Sequence, residues 1–136
     1  MTTFYCPNCW AEVPESATTC PHCHTDISER ISQAHYTDKL IAALRHKEPT
    51  TPVRAAWILG ERREEKAVPA LTKIVRKAKD AFLVESAVEA LGKIGGDSAI
   101  AAVRDATQHS SVRVRVKARK VLQQIESEKS PQATIG

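Results

Sequence analysis

Apolar residues recur at intervals of three and four from Leu40 to Ile125, with charged residues between them. That spacing lays an apolar stripe along each of a series of short helices. It predicts helices over 37–47, 52–62, 66–79, 82–93, 97–107 and 111–126. Thr37 reads as the N-cap of the first. Pro49 and Pro52 stop that helix and start the next, and Pro69 fits the first turn of the third, where a missing N–H costs little. Asp80 breaks the run, Gly95-Gly96 ends the fourth helix, and Asp97 caps the fifth. The expected buried set is Leu40, Ile41 and Leu44; Ala55, Ala56 and Leu59; Val68, Leu71, Ile74 and Val75; Leu83, Ala87, Ala90, Leu91 and Ile94; Ile100, Ala101 and Val103; Val114, Ala118, Val121, Leu122 and Ile125.

The pattern repeats. Val53-Arg54-Ala55-Ala56-Trp57-Ile58-Leu59-Gly60 aligns with Glu85-Ser86-Ala87-Val88-Glu89-Ala90-Leu91-Gly92 on its alanine, leucine and glycine. Both align with Val116-Lys117-Ala118-Arg119-Lys120-Val121-Leu122 on the alanine and leucine. The anchors Leu59, Leu91 and Leu122 are 32 and 31 residues apart, and Ala55, Ala87 and Ala118 keep the same offsets. Ala67-Val68-Pro69-Ala70-Leu71 matches Ala99-Ile100-Ala101-Ala102-Val103 at an offset of 32. A period in this range is that of stacked helix pairs, each unable to bury its stripe alone. The fold class is therefore all-α, a short right-handed α-solenoid, with a small separate module ahead of it.

Composition refines this picture. Aromatic residues make up 4% of the chain while Ala, Leu, Ile and Val are abundant, which favours thin, closely packed helix pairs. Residues 1–35 carry one base (Arg30) and four acids (Glu12, Glu15, Asp26, Glu29), net −3. The whole chain is +4, so the remainder is +7, a modest basic bias of a solvated helical surface. No apolar run approaches membrane-spanning length and residues 1–20 lack a signal-peptide pattern, so a cytoplasmic protein with no membrane partner is expected.

All four cysteines fall in the opening segment, as Cys6-Pro7-Asn8-Cys9 and Cys20-Pro21-His22-Cys23, with ten residues between. Two residues between thiolates let both sulfurs of a tight knuckle face one ion, and two knuckles complete a tetrahedral site. Cys6, Cys9, Cys20 and Cys23 are the expected ligands of one structural Zn2+, with no open position for catalysis. A redox Cys-x-x-Cys would need a βαβ framework that this segment cannot supply. His22 and His24 flank the last ligand and read as exposed loop residues. Trp10 reads as part of the small module's core with Tyr5 and Val13, or else as a residue docked on a neighbour. The expected division is 1–26 metal module, 27–36 connector, 37–126 helical repeats and 127–136 disordered tail.

The first module resembles the short bacterial zinc ribbons with paired Cys-Pro-x-Cys knuckles. Those carry Gly directly after each second Cys; here Trp10 and His24 stand there, which puts the knuckle backbone in question. The repeats resemble HEAT-like repeats of the kind found in bilin-lyase-related bacterial proteins, on AVEALGKIGGD (Ala87 to Asp97) and AVPAL (Ala67 to Leu71). The resemblance implies a polar ladder between units, with Glu65 and Asp97 in the acid position and Arg115, nearly Arg54, in the basic one. Glu85 replaces the base in the middle unit. It implies no bilin chemistry, since no cysteine lies in the repeats.

A non-catalytic protein–protein interaction scaffold is the function expected, using one layer of helices as its binding surface. Lys39, Ala43 and His46, Lys73 and Lys77, and Ala102 and Asp105 are the candidate surface. Trp57 lies about 200° around its helix from Leu59; it is either covered by a turn or the connector or an exposed contact for a partner. Nucleic-acid binding is the alternative, through the ribbon and Arg113, Arg115, Lys117, Arg119 and Lys120, although these bases spread around the helix and lack interleaved aromatics. No Ser/His/Asp spacing, phosphate-cradling loop or carboxylate pair suggests an enzyme. The sequence sets no oligomeric state.

Overall fold

A computed structural model describes residues 3–28 and 33–129. Ile31 and residues 130–136 of the expected tail lie outside the described residues. The chain opens with a two-stranded antiparallel hairpin, β1 (Thr3–Tyr5) and β2 (Glu12–Pro14), in the register Phe4↔Val13. The knuckle Cys6 to Cys9 is its turn. A second loop is closed by an isolated bridge between Thr19 and Asp26 and carries Cys20 and Cys23.

Among the described residues six α-helices follow: α1 (Gln33–Ala43), α2 (Thr50–Glu61), α3 (Val68–Lys77), α4 (Ala81–Ile94), α5 (Asp97–Ala106) and α6 (Val112–Lys129). Asp80 does more than interrupt the pattern: its carboxylate accepts from the Phe82 N–H at 2.9 Å and caps α4. Gly95 and Gly96 both take positive φ, 75° and 89°, which lets the chain reverse between α4 and α5 without strain. Thr37 is not a cap. It lies buried inside α1, which begins at Gln33 and ends at Ala43.

The helices form two layers. α2, α4 and α6 lie side by side; α1 packs on α2, α3 on α4, and α5 on α4 and α6. The core runs continuously between the layers. Leu59, Leu91, Ala55, Ala87 and Ala118 are fully buried in it, as the anchors require. Leu122, at the end of the array, is only partly buried. α4 buries Val84 and Val88 where Leu83 was expected, and α5 buries Ala99, Ala102 and Ala106 while Ala101 is exposed. Each correction is a rotation of the stripe by about one residue, because each of these helices packs against two neighbours at once.

Charged residues link successive units. Lys93 of α4 pairs with Glu61 of α2, Arg113 of α6 with Glu85 of α4 at 2.6 Å, and Arg76 of α3 with Asp105 of α5 at 3.3 Å. This differs from the implied ladder. Arg115 Nη1 instead donates to the carbonyls of His109 and Ser110, at 2.7 and 3.0 Å, and fastens the α5–α6 turn. Glu85, out of place as a base, is the acid that receives Arg113.

Candidate metal centre and adjoining groove

The two knuckles bring four sulfurs to one point. Cys6 and Cys23 Sγ are 3.7 Å apart, as are Cys9 and Cys20 Sγ, and all four lie within 4.8 Å of one another. A tetrahedral ion about 2.3 Å from each sulfur would set them about 3.8 Å apart. A disulfide would bring a pair to about 2.05 Å; all four cysteines are free thiols. The geometry fits a closed, four-thiolate site that could hold one metal ion.

The backbone is arranged for thiolates. Asn8 N–H points at Cys6 Sγ at 3.4 Å, and the His22 and Cys23 N–H groups point at Cys20 Sγ at 3.4 and 3.5 Å. The Thr25 hydroxyl, 3.1 Å from Cys23 Sγ, and the Asn8 side-chain amide, 3.4 Å away, hold the Cys23 thiol down to about 5. Burial pushes Cys6 up and Cys9 up to about 12. A dication would even out this difference by holding all four as thiolates.

Trp10 and His24, in the positions where the resembling ribbons carry glycine, have φ of 62° and 64°. The knuckle backbone is thus the left-handed one glycine would adopt, kept with side chains that raise its cost. His24 and His22 are exposed. Trp10 is 4% exposed, but it does not belong to the ribbon's own core of Cys6, Val13, Cys20 and Ile27. Its indole joins the core of the repeats, edge-on to Tyr36 at 5.3 Å. Half of the ribbon's own buried core is sulfur ligands.

Tyr36 is the residue that sequence reasoning missed. It stood in the expected connector, yet it lies 4% exposed between the ribbon and α2. Phe4 packs on its ring at 5.4 Å and Arg62 stacks over it at 4.9 Å. Its hydroxyl donates to the Tyr5 carbonyl at 2.8 Å, and burial pushes its pKa up to about 12.

Beside this joint runs a groove of about 740 Å³. Tyr5 and Glu12 of the ribbon form one wall; Arg54 and Trp57 of α2 and Phe82, Glu89 and Lys93 of α4 are among the residues that line the rest. Trp57 is 43% exposed and meets Tyr5 edge-on at 6.1 Å, with Lys93 Nζ 5.8 Å from its centroid. Tyr5, on the ribbon's first strand, half-covers it. Phe82 is 61% exposed, with Arg113 over its ring at 4.5 Å. The chain has two Trp, two Tyr and two Phe. All six lie at the ribbon joint or in this groove. Trp10 and Tyr36 enter the repeat core only at its end beside the ribbon, and the inner repeats bury no aromatic side chain.

The structure separates the candidate partner residues. Trp57 lines the groove on the α2–α4–α6 layer. Lys39 on α1, His46 just after it, Lys73 and Lys77 on α3 and Asp105 on α5 are exposed on the other layer. Ala43 and Ala102, named with them, are buried.

Two layers of stacked helix pairs joined to a four-cysteine ribbon define a helical-repeat protein with a metal-binding module. Residues 37–123 match the family model for HEAT repeats and residues 5–27 that for a zinc-ribbon domain. The repeat match spans more than half of the chain, which belongs to the HEAT repeat family. No curated protein matches it. Among the described residues, no helix is long and apolar enough to cross a membrane.

Proposed function

We propose that this is a non-catalytic interaction scaffold of the cytoplasm that holds a segment of another protein in the groove between ribbon and repeats. In this reading Cys6, Cys9, Cys20 and Cys23 bind one structural zinc ion, whose chemistry is to cross-link the two knuckles. The observation that carries the reading is the pair Trp57 and Phe82. Both are large apolar side chains held open to solvent on either side of a groove, by a chain that otherwise uses almost no aromatics. Exposed aromatics of this kind anchor protein interfaces. HEAT repeats commonly mediate protein interactions, which agrees. The groove mixes Arg54 and Lys93 with Glu12, Asp80 and Glu89, so a partner with apolar anchors and little net charge suits it. Lys39, His46, Lys73, Lys77 and Asp105 remain a second surface, on the opposite layer.

The nucleic-acid alternative is weaker than the count of bases in α6 suggests. Arg113 and Lys117 face Glu85 and Glu89, and Arg115 is taken up by turn carbonyls.

The test is affinity capture from a lysate with the wild type and with Trp57→Ser and Phe82→Ser, read by mass spectrometry. A protein retained by the wild type and lost by both variants supports the groove. Retention unchanged in both, or lost instead on changing Lys73 and Lys77, removes it.

A further inference from the structure

We propose that the metal centre is a latch for the groove: the ion fixes the first knuckle, and the first knuckle holds the ribbon on α1 and α2 through Trp10 and Tyr5. This builds on the reading of the cysteines as ligands and of the groove as the binding site, and adds how one controls the other.

The first knuckle is bracketed by two residues that reach the repeats. Tyr5 precedes Cys6. Its carbonyl accepts from Tyr36 and its ring forms the groove wall against Trp57. Trp10 follows Cys9. Its N–H donates to the Cys6 carbonyl at 2.7 Å, closing the knuckle, while its indole is buried against Tyr36. Turn, anchor and wall are therefore one rigid piece, and two of its residues are sulfur ligands.

The second knuckle is an internal control. His24 N–H donates to the Cys20 carbonyl at 2.9 Å, and its φ is the same left-handed 64°. The backbone is matched, but His24 is exposed and is not part of the repeat core. A metal site alone needs only the turn. A bulky residue held at positive φ is costly, and at Trp10 the buried indole is the contact that offsets it.

The ribbon cannot hold this piece in shape by packing. Its buried core is Cys6, Val13, Cys20 and Ile27, so removing the ion removes the partners of half the core. Small modules of this kind fold with their metal. Loss of the ion thus frees Trp10 and Tyr5 together and takes away one wall of the groove. Coupling of this kind is reciprocal: docking must strengthen metal binding as metal strengthens docking.

The experiment uses the full chain, zinc-loaded and chelated, followed by amide hydrogen exchange with mass spectrometry. Chelation is expected to lose protection in 3–28 and also in α1 and the first half of α2, while α4 to α6 keep theirs. Protection lost in 3–28 alone overturns the latch. Tyr36→Ala, remote from the ligands in sequence, is expected to lower zinc affinity about tenfold, an ordinary coupling between two sites, with one ion still bound; unchanged affinity overturns the latch. Trp10→Gly relieves the left-handed backbone yet is expected to deprotect α1 with zinc bound. His24→Gly gives the same relief and is expected to leave α1 as in the wild type. Equal behaviour of the two glycine variants overturns the latch. Zinc content near zero in the wild type would instead sink the metal reading on which the latch stands.

Discussion

Gly60 lies against the backbone of Ala90: a Cβ at Gly60 would stand 2.8 Å from the Ala90 Cα. One repeat later the same arrangement returns, with a Cβ at Gly92 colliding with Val121 Cγ1. α2, α4 and α6 pack side by side because the sequence places glycine directly after each of the first two anchor leucines. In the third unit Gln123 stands there, exposed.

Gly60→Ala should therefore destabilise, against ordinary helix propensity. Alanine gains about 1 kcal/mol over glycine inside a helix, but overpacking typically costs about 1–3 kcal/mol. At Gly60 the obstacle is main chain, which cannot move aside, so a net loss of about 1–2 kcal/mol in denaturant unfolding is expected. At Gly92 the obstacle is one valine methyl. Gly92→Ala should lose stability too, and combining it with Val121→Ala should recover part of the loss. An additive double variant would show that the clash is not what matters.

The anchors should not be equivalent. Leu91 is fully buried between two neighbouring units, and Leu122 only partly. Leu91→Ala is expected to cost about 3–4 kcal/mol, within the range for buried leucines, and Leu122→Ala about half of that. Thermal or denaturant unfolding reads the difference. Equal losses would mean that something covers α6 in solution.

Metal content should be one zinc per chain by elemental analysis, and Cys20→Ser should reduce it to near zero. Cys20 is fully buried, so three thiolates and a hydroxyl would replace a closed sulfur site. Far-UV circular dichroism should retain most of the helical signal, because the six helices have their own core. A large loss of helix would show that the repeats cannot stand without the ribbon.

Nucleic acid should not be retained at physiological ionic strength. Among the α6 residues whose exposure is described, Arg119 and Lys120 are the exposed bases that remain once the paired ones are set aside. Two phosphate contacts give little affinity once counterions compete. A gel-shift assay with mixed DNA and RNA checks this; retention that falls steeply with salt would revive the alternative. Arg113→Ala should change stability by less than about 1 kcal/mol, as exposed ion pairs usually do.

The reach of the sequence shows best at single residues. Leu59 and Leu91 could be placed in the core from their spacing, since a stripe at helical period has one inward direction. The cysteines could be grouped because two knuckles of fixed spacing need no distant help to meet. Leu83 differs because the phase of a stripe depends on which neighbours press on the helix, and Thr37 because α1 begins earlier, at Gln33. Tyr36 falls in the expected connector because Thr37, the next residue, reads as an N-cap; its reason to be buried lies in Phe4, Tyr5 and Trp10.

What the order of amino acids settles here is short-range: the period of the repeat, the helices and the four-sulfur cluster, each written within a few turns of chain. Which layer carries the groove, and that the ribbon forms its wall, came from the folded molecule. Those features rest on Trp10 against Tyr36 and Tyr5 against Trp57, contacts between distant residues. Apolar surface has no preferred direction until the elements that bear it have packed.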